Sequence, residues 1–341
     1  MLYEYEAEVL GGLEAFAAEE LYALHAEILF SGRGAIRFRY THQPEALLQL
    51  STVTAVYMVQ EFGVPRPRAL LGHQHFEQIV AAITAVRRLT AVQQFRTLRL
   101  SAAGEHSPVM RRLVADISQR TGLAAVDDDG DLLVRVRPTS DRSGWEVLVR
   151  ISPRPLSTRA WRVCDRPGAP NAALAACMVQ LSAPFRDDVL LNIGCGSGTL
   201  LIERLLYGSA RYAIGCDIDD AALACARANL AAAGVADQVE LEAWDARQMP
   251  LHDASVTTIL ADLPFGRLVG SHSENIHLYP ALLGEAARVA APGALMVLLS
   301  HEVRLVDQVL DDQRNQWELL ECIRVRSSGM TPGIYCLRRL V

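Results

Sequence analysis

The chain has 341 residues, half of them hydrophobic, and its 33 basic and 39 acidic residues give a formal net charge of −6. This length and hydrophobic content are sufficient for two or three domains with buried cores. No apolar run approaches the roughly 18 residues of a membrane span, and the N-terminus carries acids where a signal peptide carries positive charge, so we expect a soluble, cytoplasmic protein that does not bind a membrane. We also expect a monomer.

The cysteine and acidic residues do not form a recognisable metal motif. The seven cysteines include no CxxC pair and have no histidines at zinc-ligand spacing. Counted from Asp127, an EF-hand loop would require glycine and glutamate at the positions that Leu132 and Pro138 occupy, so the acidic run at residues 127–131 favours a turn. We therefore predict reduced, mostly buried thiols and no metal site.

Arginine is concentrated in the N-terminal half. All 33 basic residues are arginine, and the segment 87–120 carries seven of them against two acids, Glu105 and Asp116. Guanidinium groups bind phosphate oxygens with paired hydrogen bonds, and folded RNA is recognised largely through phosphate and 2′-hydroxyl contacts. The pattern predicts an RNA partner, although alternating arginines are also typical of the solvated faces of strands and helices. The candidate RNA-binding residues are Arg96, Arg99, Arg111, Arg112, Arg135 and Arg137.

Prolines next indicate a boundary between domains. Four of them lie in or beside residues 156–170, which we interpret as a linker. The segment from Asn171 to Leu181 then predicts a helix over the binding cleft of the following domain.

A glycine-rich turn follows the apolar run at residues 189–191. Its GxGxG spacing is typical of a turn between a strand and a helix, where backbone approaches a ligand at the C-terminal edge of a parallel sheet. A dinucleotide fingerprint would require glycine at Thr199, so a nicotinamide cofactor is the weaker interpretation. The turn's candidate cofactor-binding residues, some of whose side chains could instead cap the helix, are Asn192, Gly194, Gly196, Ser197, Gly198 and Thr199.

Two further strand ends supply carboxylates. The predicted strand from Tyr212 to Cys216 ends at Asp217, where a carboxylate would accept hydrogen bonds from ribose hydroxyls of NAD or S-adenosylmethionine. A helix over 220–233 and a short strand then lead to Asp245, a candidate partner of the adenine amino group. Ile218 and Ala246, which follow the two acids, complete this part of the predicted cofactor site.

The strand from Val256 to Ala261 delivers the tetrad Asp262-Leu263-Pro264-Phe265 to the same edge. An exocyclic amine of a nucleobase is a poor nucleophile, because its lone pair is delocalised into the ring. The Asp262 carboxylate and the backbone carbonyl of Leu263 or Pro264 could accept its N–H groups, and Phe265 could stack on the base, worth about 1–3 kcal/mol. The methyl donor is already activated, so alignment is the main requirement. We predict Asp262, Pro264 and Phe265 as catalytic, with Asp262 also beside the cofactor; the alternative is a strand-end turn with a packed aromatic residue.

The glycine turn, the tetrad and the N-terminal half together resemble the THUMP-domain guanine-N2 RNA methyltransferases. The segments 95–100, 107–113, 131–138 and 145–149 are similar to a THUMP strand, helix, strand, strand sequence. The resemblance implies S-adenosyl-L-methionine as cofactor and an α/β fold with a Rossmann-like methyltransferase domain, mostly parallel with an antiparallel C-terminal strand. The implied domains are a ferredoxin-like domain over 1–60, a THUMP RNA-binding domain over 61–155, the linker over 156–170 and the methyltransferase domain over 171–341.

Domain order and length are most similar to the tRNA enzymes that methylate N2 of guanosine at position six in the acceptor stem. A ribosomal-RNA guanine-N2 enzyme, of 23S or 16S RNA, would share the same motifs. A protein or small-molecule N-methyltransferase would share the tetrad without needing the arginines. An RNA-binding module with a degenerate catalytic domain is a further alternative, because relatives often carry Asp-Pro where this chain has Asn192-Ile193.

Overall fold

The computed structural model describes residues 3–89, 94–264, 271–326, 329 and 331–340. The chain divides into two compact units, the first ending at Ser157 and the second beginning at Thr158; the short segment Leu10–Leu13 is grouped with the second. None of the helices in the described ranges combines the length and apolar character needed to cross a lipid bilayer.

The first unit is built on an eight-stranded sheet with strand order β2-β3-β1-β4-β8-β7-β5-β6. Its pairings are antiparallel except those of β5 with β6 and β7. Because β4 pairs with both β1 and β8, one sheet continues across residue 60. The elements are β1 (Tyr3–Glu8), α1 (Glu14–Ala23), β2 (Glu27–Gly32), β3 (Ala35–Tyr40), β4 (Ala55–Phe62), α2 (His73–Leu89), β5 (Thr97–Ala102), α3 (Pro108–Thr121), β6 (Ala124–Ala125), β7 (Leu132–Pro138) and β8 (Trp145–Arg150).

Alternation along the strands gives this sheet two different faces. In β1, Tyr5 and Ala7 are buried on one face together with Phe38 of β3, as expected because successive strand residues point to opposite sides. Glu6 lies between them on the other face, where it meets Arg37. One face is therefore an apolar core and the other is rich in paired charges.

The second unit is built on a seven-stranded sheet with strand order β11-β10-β9-β12-β13-β15-β14. β15 runs antiparallel to both of its neighbours, and the pairings among β9 to β13 are parallel. The predicted Rossmann-like domain with an antiparallel C-terminal strand is confirmed. The elements are α4 (Ala172–Leu181), β9 (Val189–Ile193), α5 (Thr199–Tyr207), β10 (Tyr212–Cys216), α6 (Asp220–Ala233), β11 (Glu240–Glu242), β12 (Val256–Asp262), α7 (His272–Val289), β13 (Ala290–Ser300), α8 (Val303–Asp312), β14 (Trp317–Arg324) and β15 (Gly333–Arg339).

The order of the central strands determines where a ligand can bind. The sheet places β9 between β10 and β12, with Ile193 opposite Cys216 on one side and Ala261 on the other. Because the three strands are parallel, the residues that follow them meet at one edge, where ligands bind in open α/β sheets. Below that edge, Ile193 and Ala261 pack in the same buried cluster as Leu283 of α7.

One prediction about the cysteines is wrong. Cys164 and Cys225 form a disulfide bond with their Cα atoms 5.5 Å apart, although 61 residues separate them in sequence. The remaining five cysteines are free thiols. No local motif marks this pair, because α6 brings Cys225 to Cys164 only when the second unit has folded.

Candidate functional site

A cavity of about 420 Å³ lies at the C-terminal edge of the parallel strands of the second unit. It is lined by the glycine turn after β9, by the segments that follow β10, β11 and β12, and by residues 166–170. The predicted cofactor-binding residues that line it are Gly194, Gly196, Ser197, Thr199, Asp217, Ile218, Asp245, Ala246 and Asp262. Asn192 and Gly198 do not line it, and neither does any residue of α4, which was predicted to lie over this cleft.

The glycine turn needs its glycines because the backbone there is left-handed and because it faces the cavity without side chains. Gly194 and Gly196 have φ values of 60° and 55°, in the left-handed region that side-chain-bearing residues rarely adopt. The turn is closed by a hydrogen bond from Gly198 N to the Cys195 carbonyl at 2.8 Å. The absence of side chains at Gly194 and Gly196 leaves backbone facing the cavity.

Asp217 connects the glycine turn to the next strand end. Its Oδ2 accepts a hydrogen bond from Gly196 N at 2.9 Å, and its Oδ1 accepts one from Asp219 N at the same distance. Both oxygens are thereby fixed in position, and a carboxylate oxygen can accept a second hydrogen bond. Asp217 is half-buried at the cavity wall beside Ile218, which is 75% exposed. A pre-oriented acceptor and an open apolar side chain therefore lie side by side.

Asp245 is held by a residue that the sequence analysis did not single out. Arg247, which also lines the cavity, donates from Nη2 to Asp245 Oδ2 at 2.6 Å and from Nε to Oδ1 at 2.9 Å. These hydrogen bonds hold the pKa of the Asp245 carboxyl below its usual range. Asp245 is therefore an ionised acceptor with a fixed orientation.

Further lining residues were missed by the sequence analysis. They have no motif of their own, because their segments are brought to the cavity by packing of distant parts of the chain. Arg166 pairs with Asp219 at 2.5 Å, across 53 residues. Lining residues from such segments that were not predicted include Pro167, Gly168, Ala169, Pro170, Trp244, Leu278 and Leu282.

Asn192, predicted to contact the cofactor, lies inside the sheet. Its side chain is fully buried and Nδ2 donates to the Leu260 carbonyl of β12 at 2.9 Å. Its Oδ1 is buried and has no hydrogen-bond partner among the described residues.

The polar side chains of the turn do not cap the helix that follows. The N-cap of α5 is Gly198, without a side-chain hydrogen bond. Ser197 Oγ lies 3.3 Å from Thr199 Oγ1, which accepts from Arg162 at 3.1 Å. The alternative reading of these residues as caps is therefore wrong.

Asp262 ends β12 with an unsatisfied carboxyl oxygen. Its Oδ1 is sealed from solvent and makes no hydrogen bond with any described residue, while the residue as a whole is partly exposed. Burial disfavours the charged form and raises the pKa of Asp262 from 3.8 to about 7. A buried acceptor without a partner is rare in folded proteins, and a catalytic role is one explanation for it.

The carbonyl of Pro264 is already engaged. It accepts hydrogen bonds from Asn275 Nδ2 at 2.9 Å and from the Tyr279 hydroxyl at 2.6 Å. A carbonyl oxygen has two lone pairs, so both are in use. The Leu263 carbonyl accepts no hydrogen bond from the described residues, and the Leu263 amide donates to the Leu299 carbonyl at 2.9 Å. Phe265, the third predicted catalytic residue, lies outside the described residues.

The predicted RNA-binding arginines of the first unit fall into two groups. On the charged face of the sheet, Arg135 pairs with Glu8 at 2.9 Å, and Arg137 pairs with Glu6 at 2.6 Å and with Glu146 at 2.8 Å. Glu6 and Glu146, the two partners of Arg137, are both buried. The charges of these two arginines are thus largely balanced within the unit.

The remaining arginines are less constrained. Arg96 and Arg111 are exposed, and Arg112 is exposed with Asp116 at 3.6 Å, one helical turn away on α3. Arg99 of β5 is half-buried. A solvent-exposed guanidinium is better able to bind a phosphate than one that already makes paired hydrogen bonds with carboxylates.

Comparison with known proteins gives a family for the second unit. A family profile described as the RMKL-like methyltransferase domain (UPF0020) matches residues 159–332, half of the chain. A 181-residue stretch is 31% identical to the tRNA (guanine(6)-N(2))-methyltransferase THUMP3 of Mus musculus and covers 50% of this chain. That stretch is only 36% of the mouse protein's length.

Two further similarities extend over more of the chain. The tRNA (guanine(6)-N2)-methyltransferase of Methanocaldococcus jannaschii is 24% identical over 250 residues, covering 62% of this chain and 64% of that protein. The crystal structure of TrmN from Thermus thermophilus superposes with a TM-score of 0.77 over 99% of this chain and 100% of that one, at 23% identity. The structural similarity to TrmN supports the fold described above. The predicted resemblance to guanine-N2 RNA methyltransferases is confirmed by the curated relatives.

Proposed function

Because the chain belongs to the RMKL-like methyltransferase domain family, we propose that it methylates the exocyclic N2 of a guanosine in RNA. The cofactor is S-adenosyl-L-methionine, which supplies an activated methyl group. The observation that carries the proposal is the buried Oδ1 of Asp262 beside the glycine turn, which has no hydrogen-bond partner among the described residues. Such an acceptor has no evident structural use and suits an N–H donor brought by a substrate.

The residues that line the cavity fit this cofactor. The open backbone at Gly194 and Gly196 can approach a ligand closely, and Asp217 presents oriented oxygens for ribose hydroxyls. Asp245 offers its carboxylate to an amino group of adenine, with Arg247 fixing its orientation. Asn192 is buried and does not reach the cavity, so it would affect the cofactor only indirectly, by holding β9 against β12.

In the proposed mechanism, Asp262 accepts an N–H of the target amine at Oδ1, and the Leu263 carbonyl is the second acceptor because that of Pro264 is occupied. Holding both N–H groups turns the nitrogen lone pair toward the methyl group. The N–C bond forms as the C–S bond breaks, and one proton leaves the nitrogen for the Asp262 carboxylate. Alignment of this kind contributes several kcal/mol without a metal or a covalent intermediate. Phe265 is proposed to stack on the base.

We further propose tRNA as the substrate, with the acceptor-stem guanosine at position six as its target. The mouse and archaeal relatives named above carry that activity in their names, while another relative, from Methanothermobacter thermautotrophicus, is named as a tRNA (guanine(10)-N2)-dimethyltransferase. The exposed arginines 96, 111 and 112 of the first unit are the better candidates for phosphate contacts. Division of that unit into a ferredoxin-like and a THUMP domain, the monomeric state and the cytoplasmic location remain predictions.

The test is incubation of the purified chain with labelled S-adenosylmethionine and separate pools of unmodified tRNA and ribosomal RNA, followed by digestion to nucleosides. N2-methylguanosine from tRNA is the expected product. The same nucleoside from ribosomal RNA alone would retain the chemistry and overturn the substrate. No label in either pool would contradict the proposal, provided that calorimetry shows the cofactor to be bound.

A further inference from the structure

The tetrad is attached to a hydrogen-bond network that the mechanism above does not use. The network begins at the Pro264 carbonyl, which accepts from Asn275 Nδ2 and from the Tyr279 hydroxyl, both on α7. The side chains of Asn275 and Tyr279 are fully buried. Two buried donors from adjacent turns of one helix therefore converge on a single carbonyl oxygen next to the reacting groups.

A second layer of contacts connects both donors to one residue, Glu302: Asn275 to its carboxylate and Tyr279, through Ser300, to its backbone amide. Asn275 Nδ2 also donates to Glu302 Oε1, and Glu302 Oε2 contacts His272 Nδ1. On the other branch, the Glu302 amide donates to Ser300 Oγ at 3.0 Å. Ser300 Oγ lies 3.0 Å from the Tyr279 hydroxyl, so the serine proton points to Tyr279 and the tyrosine proton points to Pro264.

The direction of these hydrogen bonds shows that the network holds the Pro264 carbonyl. Every bond on the Tyr279 branch is oriented toward the Pro264 oxygen, and the Asn275 branch ends there too. Glu302 is 12% exposed at its side chain, so the network is largely shielded from water. Hydrogen bonds inside a shielded network are stronger and better oriented than those exposed to solvent.

We infer that Asn275 and Tyr279 are positioning residues, which Glu302 holds in place through its hydrogen bonds. They fix the Pro264 carbonyl so that Asp262 and the Leu263 carbonyl face the target amine. This inference rests on the proposed function. Occupying the Pro264 oxygen removes a competing acceptor one residue from Leu263. Fixing its peptide also restricts rotation of the backbone that carries Leu263. The network thus acts through the tetrad and touches neither reactant.

The test compares Tyr279→Phe with Tyr335→Phe. Tyr335 is an equally buried tyrosine of the same unit whose hydroxyl donates to Asp307 Oδ1 at 2.8 Å and lies 3.2 Å from the Val303 carbonyl, away from the tetrad. We expect kcat for guanosine methylation to fall about 10- to 100-fold in Tyr279→Phe, with cofactor affinity within about twofold of wild type. Tyr335→Phe should leave kcat unchanged even if it lowers stability to the same extent.

A second readout does not depend on methyl transfer. Hydrogen exchange of the peptide spanning 256–264 should accelerate about 2- to 10-fold in Tyr279→Phe and not in Tyr335→Phe, because the Pro264 carbonyl loses one of its two donors and the adjoining backbone at Leu263 is held less firmly. If exchange and kcat respond equally in both variants, the positioning role is refuted. If wild type methylates no guanosine, the proposed function fails, while exchange still decides whether the network holds the tetrad.

The carboxylate provides a rescue experiment. Glu302→Gln retains an oxygen that can accept from Asn275, whereas Glu302→Ala removes it. We expect the glutamine variant to retain most of the wild-type kcat and the alanine variant to lose it to the same extent as Tyr279→Phe. Equal activity of the two Glu302 variants would overturn the role given to the carboxylate.

Discussion

Replacing Asp262 with asparagine should stabilise the cofactor-free protein at alkaline pH while abolishing methyl transfer. Burial raises the pKa of this carboxyl from 3.8 to about 7. A raised pKa means that the folded state binds the proton more tightly than the unfolded state. The stability contributed by the protonated group is fully present below about pH 4 and is lost as pH rises through 7.

The size of the effect follows from the shift. About three pKa units at 1.36 kcal/mol each set an upper limit of about 4 kcal/mol between pH 4 and pH 8. We halve this to about 2 kcal/mol, because only Oδ1 is sealed and the residue is partly exposed. For a folding unit of this size, that difference corresponds to a rise in Tm of about 4–8 °C.

This stability difference is measured by thermal unfolding at pH 4.5 and pH 8.5. The proteins compared are wild type, Asp262→Asn and Asp237→Asn, a control at an exposed aspartate. The asparagine variant should gain stability over wild type at pH 8.5 and little at pH 4.5, whereas the control should follow wild type. A variant that is equally or less stable than wild type at both pH values would refute the reasoning, because the carboxylate would then have a stabilising partner.

Four further outcomes are expected. The rate of methyl transfer by wild type should rise with pH and level off above about 7, since only ionised Asp262 can accept both the N–H bond and the departing proton; a pH-independent rate between pH 5.5 and 8.5 would contradict this. Gly196→Ala should weaken cofactor binding measured by calorimetry, because a side chain at φ 55° costs about 1–2 kcal/mol. Arg137→Ala should lower the free energy of unfolding by about 1–3 kcal/mol, since two buried glutamates lose a partner. Arg111→Ala should instead leave stability unchanged and weaken tRNA binding, and the reverse pattern in denaturation and filter-binding assays would contradict this assignment.

The cofactor side of the site could be predicted from the sequence because its signals are local. A glycine turn between a strand and a helix forms within a few residues, and Asp217 directly follows a buried strand. In a parallel sheet the carboxyl ends of neighbouring strands meet at one edge, so the residues after β9, β10 and β12 lie together once strand order is known. Strand order and these local signals are therefore sufficient to place Asp217 and Asp262 at the cavity.

Contacts between distant segments could not be predicted in this way. Pro264 was expected to offer its carbonyl to the target amine, yet Tyr279, 15 residues further on, occupies it. Arg137 was expected to face RNA, yet it is paired with Glu6, 131 residues away.

The sequence by itself therefore determined the Rossmann-like domain and the residues that follow its strands, because strand periodicity and turn chemistry act over a few neighbouring residues. The family followed from the resemblance of the glycine turn and the tetrad to those of known methyltransferases. Tertiary structure alone decided which of those groups remain available for a ligand. The burial of Asp262 Oδ1, the occupied Pro264 carbonyl and the disulfide between Cys164 and Cys225 all depend on groups brought together from distant parts of the chain. The physical reason is that a hydrogen bond or an ion pair requires its partners within a few ångströms, a distance that packing sets and sequence spacing does not.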